Sequence, residues 1–592
     1  MRTTRRGLAM RNWAVLVAAV TPLSVAAQPP GQPGPRLADV MDVVVVNLEV
    51  WVTDRQGAPV EGLTRADFEL RVDGRPVEIS NFLDMAARRR AAGEVAGGVT
   101  APAGGAAVAV EAESAEAVAV PPSHVVIYLD DESIRPFARR PLLEELAVFL
   151  RDQAARGNRL MLVTHGPRVQ VRHRFQDDPR ALPHLLTTLE EPGGSVRQLE
   201  AERDVIIRTM ERTVIMPAGS AVVRSEVDLE DARTLLPRIR GYAQGLREQT
   251  RERLQAMEQF VGSLAGIQGA KVLVYVGEGI HAYPADGLFR MWEERYPTLA
   301  RQEGMSTGLE ANRYGLREEI KSLVSRANAS LVSIFTLDAG DRGNLTMISS
   351  ERGTTSSGPL PLVVGRVDQQ ISMQEISSKT GGETLGLGER FGSIQRLGER
   401  LEAYYSLGFD AAPFADGRER RVEVAVRRAG VKVRHRPAFT VQSLGERMKE
   451  LTLAGLLYQR RNNRLGVELV KESERPREGG GHHVLLVMRM PLANITLLPV
   501  ETVHEGRLSL YLALQSPGGR TSQVMEQPFP IRVPNQALLT ALGQQVAFTF
   551  DLVLGAGQWR AALTVRDELA GTVAVETATL TVGRAATLEV PQ

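Results

Sequence analysis

The chain has 592 residues, 43% of them apolar and 24% charged, enough for sizeable cores and too many for one ordinary domain. Seventy-one basic residues against 70 acidic ones give a net charge of +1, which offers no global field to nucleic acid or an anionic membrane. Cysteine is absent, and that excludes disulfides, thiolate metal sites, cysteine nucleophiles and a lipid-anchoring cysteine.

Arg2, Arg5, Arg6 and Arg11 precede an apolar run, 13–25, that closes on Val25-Ala26-Ala27. A basic stretch, a short apolar stretch and small residues at a cleavage point form the layout of a secretory signal peptide, 1–27, and the run is too short for a comfortable membrane span. Thr4-Arg5-Arg6-Gly7-Leu8 loosely resembles a twin-arginine signal, but ordinary basic leaders contain such pairs, so Sec export is the simpler expectation. Cleavage would leave a Pro/Gly-rich leader, 28–41. No later segment reaches the roughly 18–20 uninterrupted apolar residues of a membrane helix. The mature chain is therefore expected to be exported, periplasmic or secreted, with no transmembrane segment.

Residues 42–85 alternate apolar and polar positions between turn signals (Arg55-Gln56-Gly57, Asp73-Gly74), which predicts short antiparallel strands. A β unit of this size buries little core alone and should dock on something larger. The Ala/Gly/Val-rich stretch 86–122 reads as a linker or insertion.

From 123 to 440 the pattern becomes apolar strands separated by amphipathic helices, the signature of a doubly wound, mostly parallel α/β sheet. Strands are expected at 125–129, 160–164, 169–173, 272–276, 331–337 and 404–409, and helices at 140–156, 181–189, 317–327, 371–379 and 391–401. Inside this domain, about 196–262 carries a helical hairpin insertion. Its second arm keeps apolar or small positions at a 3–4 spacing (Ala232, Leu236, Ile239, Ala243, Leu246, Thr250, Met257, Phe260), with one polar step, Arg253, beside Leu254. A continuous helix there would be roughly 50 Å long at about 1.5 Å per residue. Two readings stand: a projecting arm that meets a partner, or a seam packed on its own domain.

A helix at 444–458 and the Gly-rich break at 478–481 form a connector, 441–482, and 483–592 reads as an immunoglobulin-like β-sandwich of short strands with Pro/Gly turns.

The segment HVVIYLDDESIR, 124–135, ends an apolar strand in three acids and a serine, at the edge where open α/β sheets build their sites. It also carries a resemblance. With NLEVWVTDRQGAPVEGLTRADFELRVDG, GAKVLVYVGEGI, Thr380-Gly381-Gly382 and the closing YYSLGFD…RRVEVAVRRAGVKVRHRPAF, the order of segments over roughly 40–440 resembles the VWFA-related domain proteins of the Acidobacteria type. The resemblance implies a von Willebrand A-like fold. It also implies a metal-dependent adhesion loop, in which one loop gives an Asp and two hydroxyls, a second a Thr and a third an Asp, with a partner carboxylate completing the shell. Hard oxygen ligands of this kind suit Mg²⁺, Mn²⁺ or Ca²⁺.

Carried over residue by residue, Asp130 matches the first Asp, or Asp131 does, with Ser133 as its hydroxyl. The second serine is replaced by Ile134 in the first register and by Arg135 in the second. Ser195 stands for the second-loop Thr and Glu278, one methylene longer, for the third-loop Asp. The metal set is thus Asp130, Asp131, Ser133, Ser195 and Glu278, a degenerate site that either holds a divalent cation or is vestigial.

Other signals point nowhere specific. His482-His483 reads as an exposed loop, His504-Glu505 lacks a zinc-protease second histidine, and Ser356-Ser357-Gly358 lacks a hydrolase elbow. The Arg420-Arg421 and Arg427-Arg428 pairs read as solvation of an edge strand. The expected function is a non-enzymatic protein- or surface-binding module, its partner a protein or cell-envelope ligand and not nucleic acid. The ligand face would be the C-terminal edge of the sheet. The alternatives are a hydrolase using the acidic loop with His165 as base, and an assembly scaffold working through the hairpin and sandwich.

Overall fold

The structure, a computed structural model, describes residues 45–88, 90, 122–166, 168–189, 195–212, 226–267, 269–340, 360–385, 394, 397–398, 401, 403–458, 463–478 and 480–583. The signal peptide, the leader, nearly all of the 86–122 linker, the Ser356-Ser357-Gly358 loop and most of the helix expected at 391–401 lie outside the described residues. The rest is mixed α/β and falls into two compact units, one closing at Ser443 and the other opening at Leu444.

The first unit begins with four short strands, β1 (Val45–Thr53), β2 (Phe68–Val72), β3 (Arg75–Val77) and β4 (Asn81–Asp84). A six-stranded sheet follows: β5 (His124–Asp130), β6 (Arg159–His165), β7 (Val169–His173), β8 (Lys271–Gly277), β9 (Val332–Asp338) and β10 (Thr384–Leu385). Its spatial order is β7-β6-β5-β8-β9-β10, parallel throughout except for the edge strand β7. The order reverses at β5, whose neighbours are β6 on one side and β8 on the other, so the topological switch point lies at the C-terminal ends of β5 and β8.

Alternation along β5 decides what each face carries. Val125, Ile127 and Leu129 join a core with Leu142, Leu146 and Leu150 of helix α1 (Pro136–Ala155). Tyr128 and Asp130 face the other way. A short helix α2 (Leu182–Thr187) leads to α3 (Ser195–Arg212) and α4 (Glu226–Ser263). The 38 residues of α4 correspond to about 57 Å at roughly 1.5 Å per residue. Phe260 of α4 packs on Tyr128 with ring centroids 5.6 Å apart.

The hairpin does not project with its apolar seam open. Ile206 and Met210 of α3 and Leu236, Ile239 and Ala243 of α4 share a core with three helices missing from the sequence expectation, α5 (Asp286–Arg295), α6 (Pro297–Gln302) and α7 (Thr307–Tyr314). Trp292 of α5 is fully buried there and donates its indole N–H to the Ala232 carbonyl at 3.0 Å. Two more helices, α8 (Arg317–Ala329) and α9 (Leu360–Lys379), complete the layer around β9 and β10.

The segment expected at 404–409 is not part of the parallel sheet. It forms β11 (Tyr405–Asp410), which pairs antiparallel with β1 and β4. With β12 (Glu419–Val426), β13 (Lys432–Arg434) and β14 (Ala438–Thr440) it completes two four-stranded sheets, β13-β1-β11-β4 and β14-β12-β2-β3, over one shared core. The α/β sheet is therefore inserted between the two halves of a small β-sandwich. The tandem tyrosines mark the junction: Tyr404 lies in the α/β core and Tyr405 in the sandwich core.

A second joint is Arg436, 1% exposed. Its guanidinium reaches Glu49 of β1 at 3.7 Å, the carbonyls of Ala327 and Asn328, and the Ser333 hydroxyl of β9. Thr380-Gly381-Gly382 closes α9 against β9. Thr380 Oγ1 accepts from the Ile334 amide at 3.1 Å, and a Cβ on Gly382 would run into the Ile334 carbonyl. The Arg420-Arg421 pair does not simply solvate an edge, since β12 lies between β14 and β2 and Arg420 reaches Asp73 of the β2–β3 turn.

The second unit starts with α10 (Leu444–Tyr458) and continues through eight strands: β15 (Glu468–Pro476), β16 (His482–Pro491), β17 (Leu498–Val500), β18 (Val503–Gln515), β19 (Met525–Pro534), β20 (Gln545–Leu554), β21 (Gly557–Asp567) and β22 (Val573–Val582). They make two sheets, β15-β16-β20 and β17-β18-β21-β22 with β19 on β18, facing each other over one core. The Gly-rich break is a hairpin turn between paired strands, closed by the Arg477 amide on the Gly481 carbonyl at 3.0 Å. The connector and the sandwich are thus continuous. The second sheet's outer side is covered by α10, with Thr452 donating to Thr564 at 2.8 Å.

Trp292 ties the hairpin to the helices after β8, so Trp292→Ala should destabilise the first unit by about 3–5 kcal/mol in urea unfolding. Amide exchange should rise in α3 and α4 before it rises in β5. Unchanged protection of the hairpin would contradict its packing.

Candidate functional site

The switch point gathers the acids of the β5 loop with the end of β8. Asp130 is the last residue of β5, in register with the strand that carries Tyr275 on β8. It is 2% exposed. Its Oδ2 accepts from Tyr275 Oη at 2.6 Å and from Arg253 Nη1 at 3.0 Å, and its Oδ1, also buried, has no hydrogen-bond partner among the described residues. Arg253 comes from α4, seven residues before Phe260, which is two helical turns and hence the same face. The polar interruption of the apolar seam is the residue that neutralises Asp130.

Asp131 points elsewhere. It forms a bidentate pair with Arg139 of α1 at 2.7 and 3.0 Å, both side chains 8% exposed. Ser133 folds back onto the loop: its hydroxyl donates to the Asp130 carbonyl at 2.8 Å and accepts from the Glu278 amide at 3.1 Å. Glu278 accepts from the Arg135 amide through Oε1 at 3.0 Å and meets Arg135 Nε through Oε2 at 3.2 Å. Arg135 also lies 3.7 Å from Glu200 of α3. One strand over, Asp338 pairs with Arg366 of α9, which donates to the Glu278 carbonyl at 2.9 Å. Ile134 is buried in the α/β core. Ser195 opens α3, and its side chain lies outside the described residues.

The structure thus brings Asp130, Ser133 and Glu278 together, and sends Asp131 to a separate partner. Each of the four carboxylates Asp130, Asp131, Glu278 and Asp338 is matched by its own guanidinium. Among the described residues, no group of three or more His, Asp or Glu side chains is placed to hold a metal ion. A divalent cation does not fit this donor set as it stands. One oxygen of Asp130 faces a guanidinium, both oxygens of Glu278 face Arg135, and the Ser133 hydroxyl is occupied on both sides.

Burial sets the protonation behaviour. It pushes the Tyr275 and Tyr128 hydroxyls well above the usual phenol range, and the Asp130 charge adds to the effect. Burial raises the Glu278 carboxyl, with Arg135 opposing. For Arg253, burial opposes the charge, but Asp130, Tyr275, Glu132 and Tyr128 together outweigh it, and the pKa lies above the ordinary arginine value. His165, at the end of β6, shares a hydrogen bond with Tyr128 Oη through Nδ1 at 2.9 Å. Burial depresses its pKa, against the pull of Asp130 and with the push of Arg253. Its carbonyl accepts from the Asp131 amide at 3.1 Å, but its ring does not meet the Asp131 carboxylate. The hydroxyl it does meet belongs to a tyrosine that resists ionisation, which is no activated nucleophile.

Sequence reasoning missed Arg253, Arg139, Arg366 and Tyr275 as members of this edge. The break in the α4 seam was the available signal for the first.

A histidine with a depressed folded pKa contributes stability that is present above its unfolded value, near 6.5, and is lost as pH falls through the folded value. Glu278 has the opposite sign: its raised folded pKa gives stability that is full below 4.5 and lost as pH rises through the folded value. Thermal stability should therefore decline as pH drops below about 6.5 through His165, and His165→Gln should flatten that part of a Tm-versus-pH profile. An unchanged slope would remove His165 from the balance.

No protein-family description and no curated protein matches this chain. Solved structures with some likeness include an aerotolerance-related membrane protein from Bacteroides fragilis, at 9% identity, over 47% of this chain and 98% of that one, TM-score 0.20. BatB from Bacteroides thetaiotaomicron is similar at 8% identity, over 47% and 97%, TM-score 0.20. A β-glucuronidase from Bacteroides uniformis is similar at 11% identity, over 31% and 21%, TM-score 0.13. Likeness at these scores carries no argument about what this chain does. No helix among the described residues is long and apolar enough to cross a membrane.

Proposed function

We propose that the chain is an exported, non-enzymatic binding protein with a von Willebrand A-like domain, whose ligand face is the loop-bearing C-terminal edge of the parallel sheet. The observation that carries the reading is the charged switch point. Loops after β5 and β8 meet there, where open α/β sheets place their ligand sites, and part of the charge is presented outward. Arg135 and Glu200 each keep about a third of their side chain exposed, while Asp130, Asp131 and Asp338 beneath are held by the more buried guanidiniums of Arg253, Arg139 and Arg366. Such a face suits a protein or cell-envelope ligand with complementary charges, since electrostatic matching gives specificity and on-rate. The second unit reads as an immunoglobulin-like sandwich, supported by two sheets packed over one alternating core. The leader sequence supports a periplasmic or secreted location. The hydrolase alternative finds no support in the geometry of His165.

Reversing the exposed charge with Glu200→Lys, which leaves the Arg135–Glu278 pair in place, should lower recovery of an envelope ligand on the immobilised mature protein by about ten-fold or more, equivalent to roughly 1.4 kcal/mol. The variant's far-ultraviolet circular dichroism should match the parent's. Equal recovery by parent and variant would move the ligand face elsewhere, and turnover of an ester or peptide substrate abolished by His165→Gln would replace the reading with an enzymatic one.

A further inference from the structure

We infer that Arg253 occupies the charge-balancing place of a divalent cation at Asp130, so that the native face needs no metal and an oxygen-lined cation cradle lies beneath the guanidinium. The inference concerns the same sheet edge as the proposed ligand face, but its evidence is the local geometry and its readout needs no partner.

Three observations carry it. First, Asp130 is a buried carboxylate with one oxygen on Tyr275 and Arg253 and the other without a hydrogen-bond partner among the described residues. A buried carboxylate is costly without a cationic partner, and within hydrogen-bond reach that partner is Arg253. Second, several hard oxygens converge beside it. Ser133 Oγ sits 2.8 Å from the Asp130 carbonyl oxygen. A Cβ on Gly277 would lie 2.7 Å from Ser133 Oγ and 2.8 Å from Tyr275 Oη, so the bare glycine at the end of β8 leaves room for both oxygens. Carboxylate, carbonyl and hydroxyl oxygens are the donors Mg²⁺, Mn²⁺ and Ca²⁺ take, at roughly 2.0–2.6 Å. A guanidinium nitrogen 3.0 Å from Oδ2 stands in the approach to that oxygen, and the two cations exclude each other. Third, the guanidinium is delivered by an otherwise apolar seam. Leu246, Leu254, Met257 and Phe260 of α4 are buried, and Arg253 is the polar member on the side of the sheet, 12% exposed.

The consequence is a swap. Removing the guanidinium while keeping the carboxylate should open the cradle to a metal; keeping a positive charge should leave it shut. The test uses the full mature chain, metal-stripped, with Mn²⁺ as probe, read by thermal shift, isothermal titration and Mn²⁺ electron paramagnetic resonance. The parent protein and Arg253→Lys should show no cation-dependent Tm shift. Arg253→Ala and Arg253→Gln should bind one Mn²⁺ at least about ten-fold more tightly than the parent and gain a Tm rise that EDTA reverses. Adding Asp130→Asn to either should abolish both. If the alanine variant folds only when Mn²⁺ is supplied, the swap is supported directly. Stoichiometric Mn²⁺ binding by the parent, lost in Asp130→Asn, would overturn the inference, because the metal and the guanidinium would then coexist. Folded Arg253→Ala and Arg253→Gln that bind Mn²⁺ no better than the parent would overturn it too, as would variants that stay unfolded with and without Mn²⁺.

Discussion

The constraint on which the first unit turns is a charge buried at the end of a central strand. Asp130 closes β5 with almost no exposure, and its neighbours Leu129 and Ile134 are fixed in the core on either side of it. Leaving it unpaired would cost several kcal/mol. The chain meets this demand from far away in sequence, with Arg253 on a helix of 38 residues. The length of α4 then makes sense as a span. One end sets Phe260 on Tyr128, the segment two turns earlier sets Arg253 on Asp130, and the remainder reaches out to make a second core with α5 to α7. The ion pair fixes the register of the helix on the sheet more sharply than apolar contacts alone, because a shift by one residue would leave two buried charges without partners.

The same solution recurs along the edge. Asp131 takes Arg139, Glu278 takes Arg135 and Asp338 takes Arg366, and below the sheet Glu49 faces Arg436. All the cations are arginine. A planar guanidinium answers a carboxylate with two parallel hydrogen bonds and tolerates desolvation better than an ammonium, and the Asp131–Arg139 pair uses that fork with both oxygens engaged. A composition rich in arginine therefore has a structural use at these positions, whatever else favours it. The edge is built from internal pairs, and this limits its outward charge to residues such as Arg135 and Glu200.

Much of this was legible in the sequence, and the reasons for the remainder are local. Long apolar strands bounded by turns stood out, so β5, β6, β8 and β9 were expected within a residue or two of where they lie, and α10 was expected at its observed bounds. Segment 404–409 was recognisable as a strand but assigned to the wrong sheet, because period-2 alternation says nothing about partners; its two tyrosines in fact serve two cores. The Gly-rich 478–481 looked like a linker by composition, although the register pairing Pro476 with His482 makes it a turn. Helices α5, α6 and α7 are 10, 6 and 8 residues long, too short for a 3.6-residue period to rise above chance. They are held by burial of Trp292, Leu288 and Phe289 against the hairpin, a contact that no local pattern announces. Of the candidate site, the acids were visible and their partners were not, since a salt bridge between residues 123 positions apart leaves a trace only as an arginine where an apolar residue was due.

That trace bears on how the acidic loop should be understood. Measured against a metal-binding pattern, Ile134 and Arg135 look like losses, each standing where a hydroxyl would be needed. In the fold both have work of their own: Ile134 fills the α/β core, and Arg135 holds Glu278 through its amide and its guanidinium together. Changing either back to serine would open a cavity in one case and strand a buried carboxylate in the other. The loop is therefore organised around fixed internal cations, and its departures from the pattern depend on one another. A guanidinium is tethered and cannot dissociate, whereas a bound metal exchanges with solvent. An edge balanced by arginines keeps the same charge whatever the cation concentration outside.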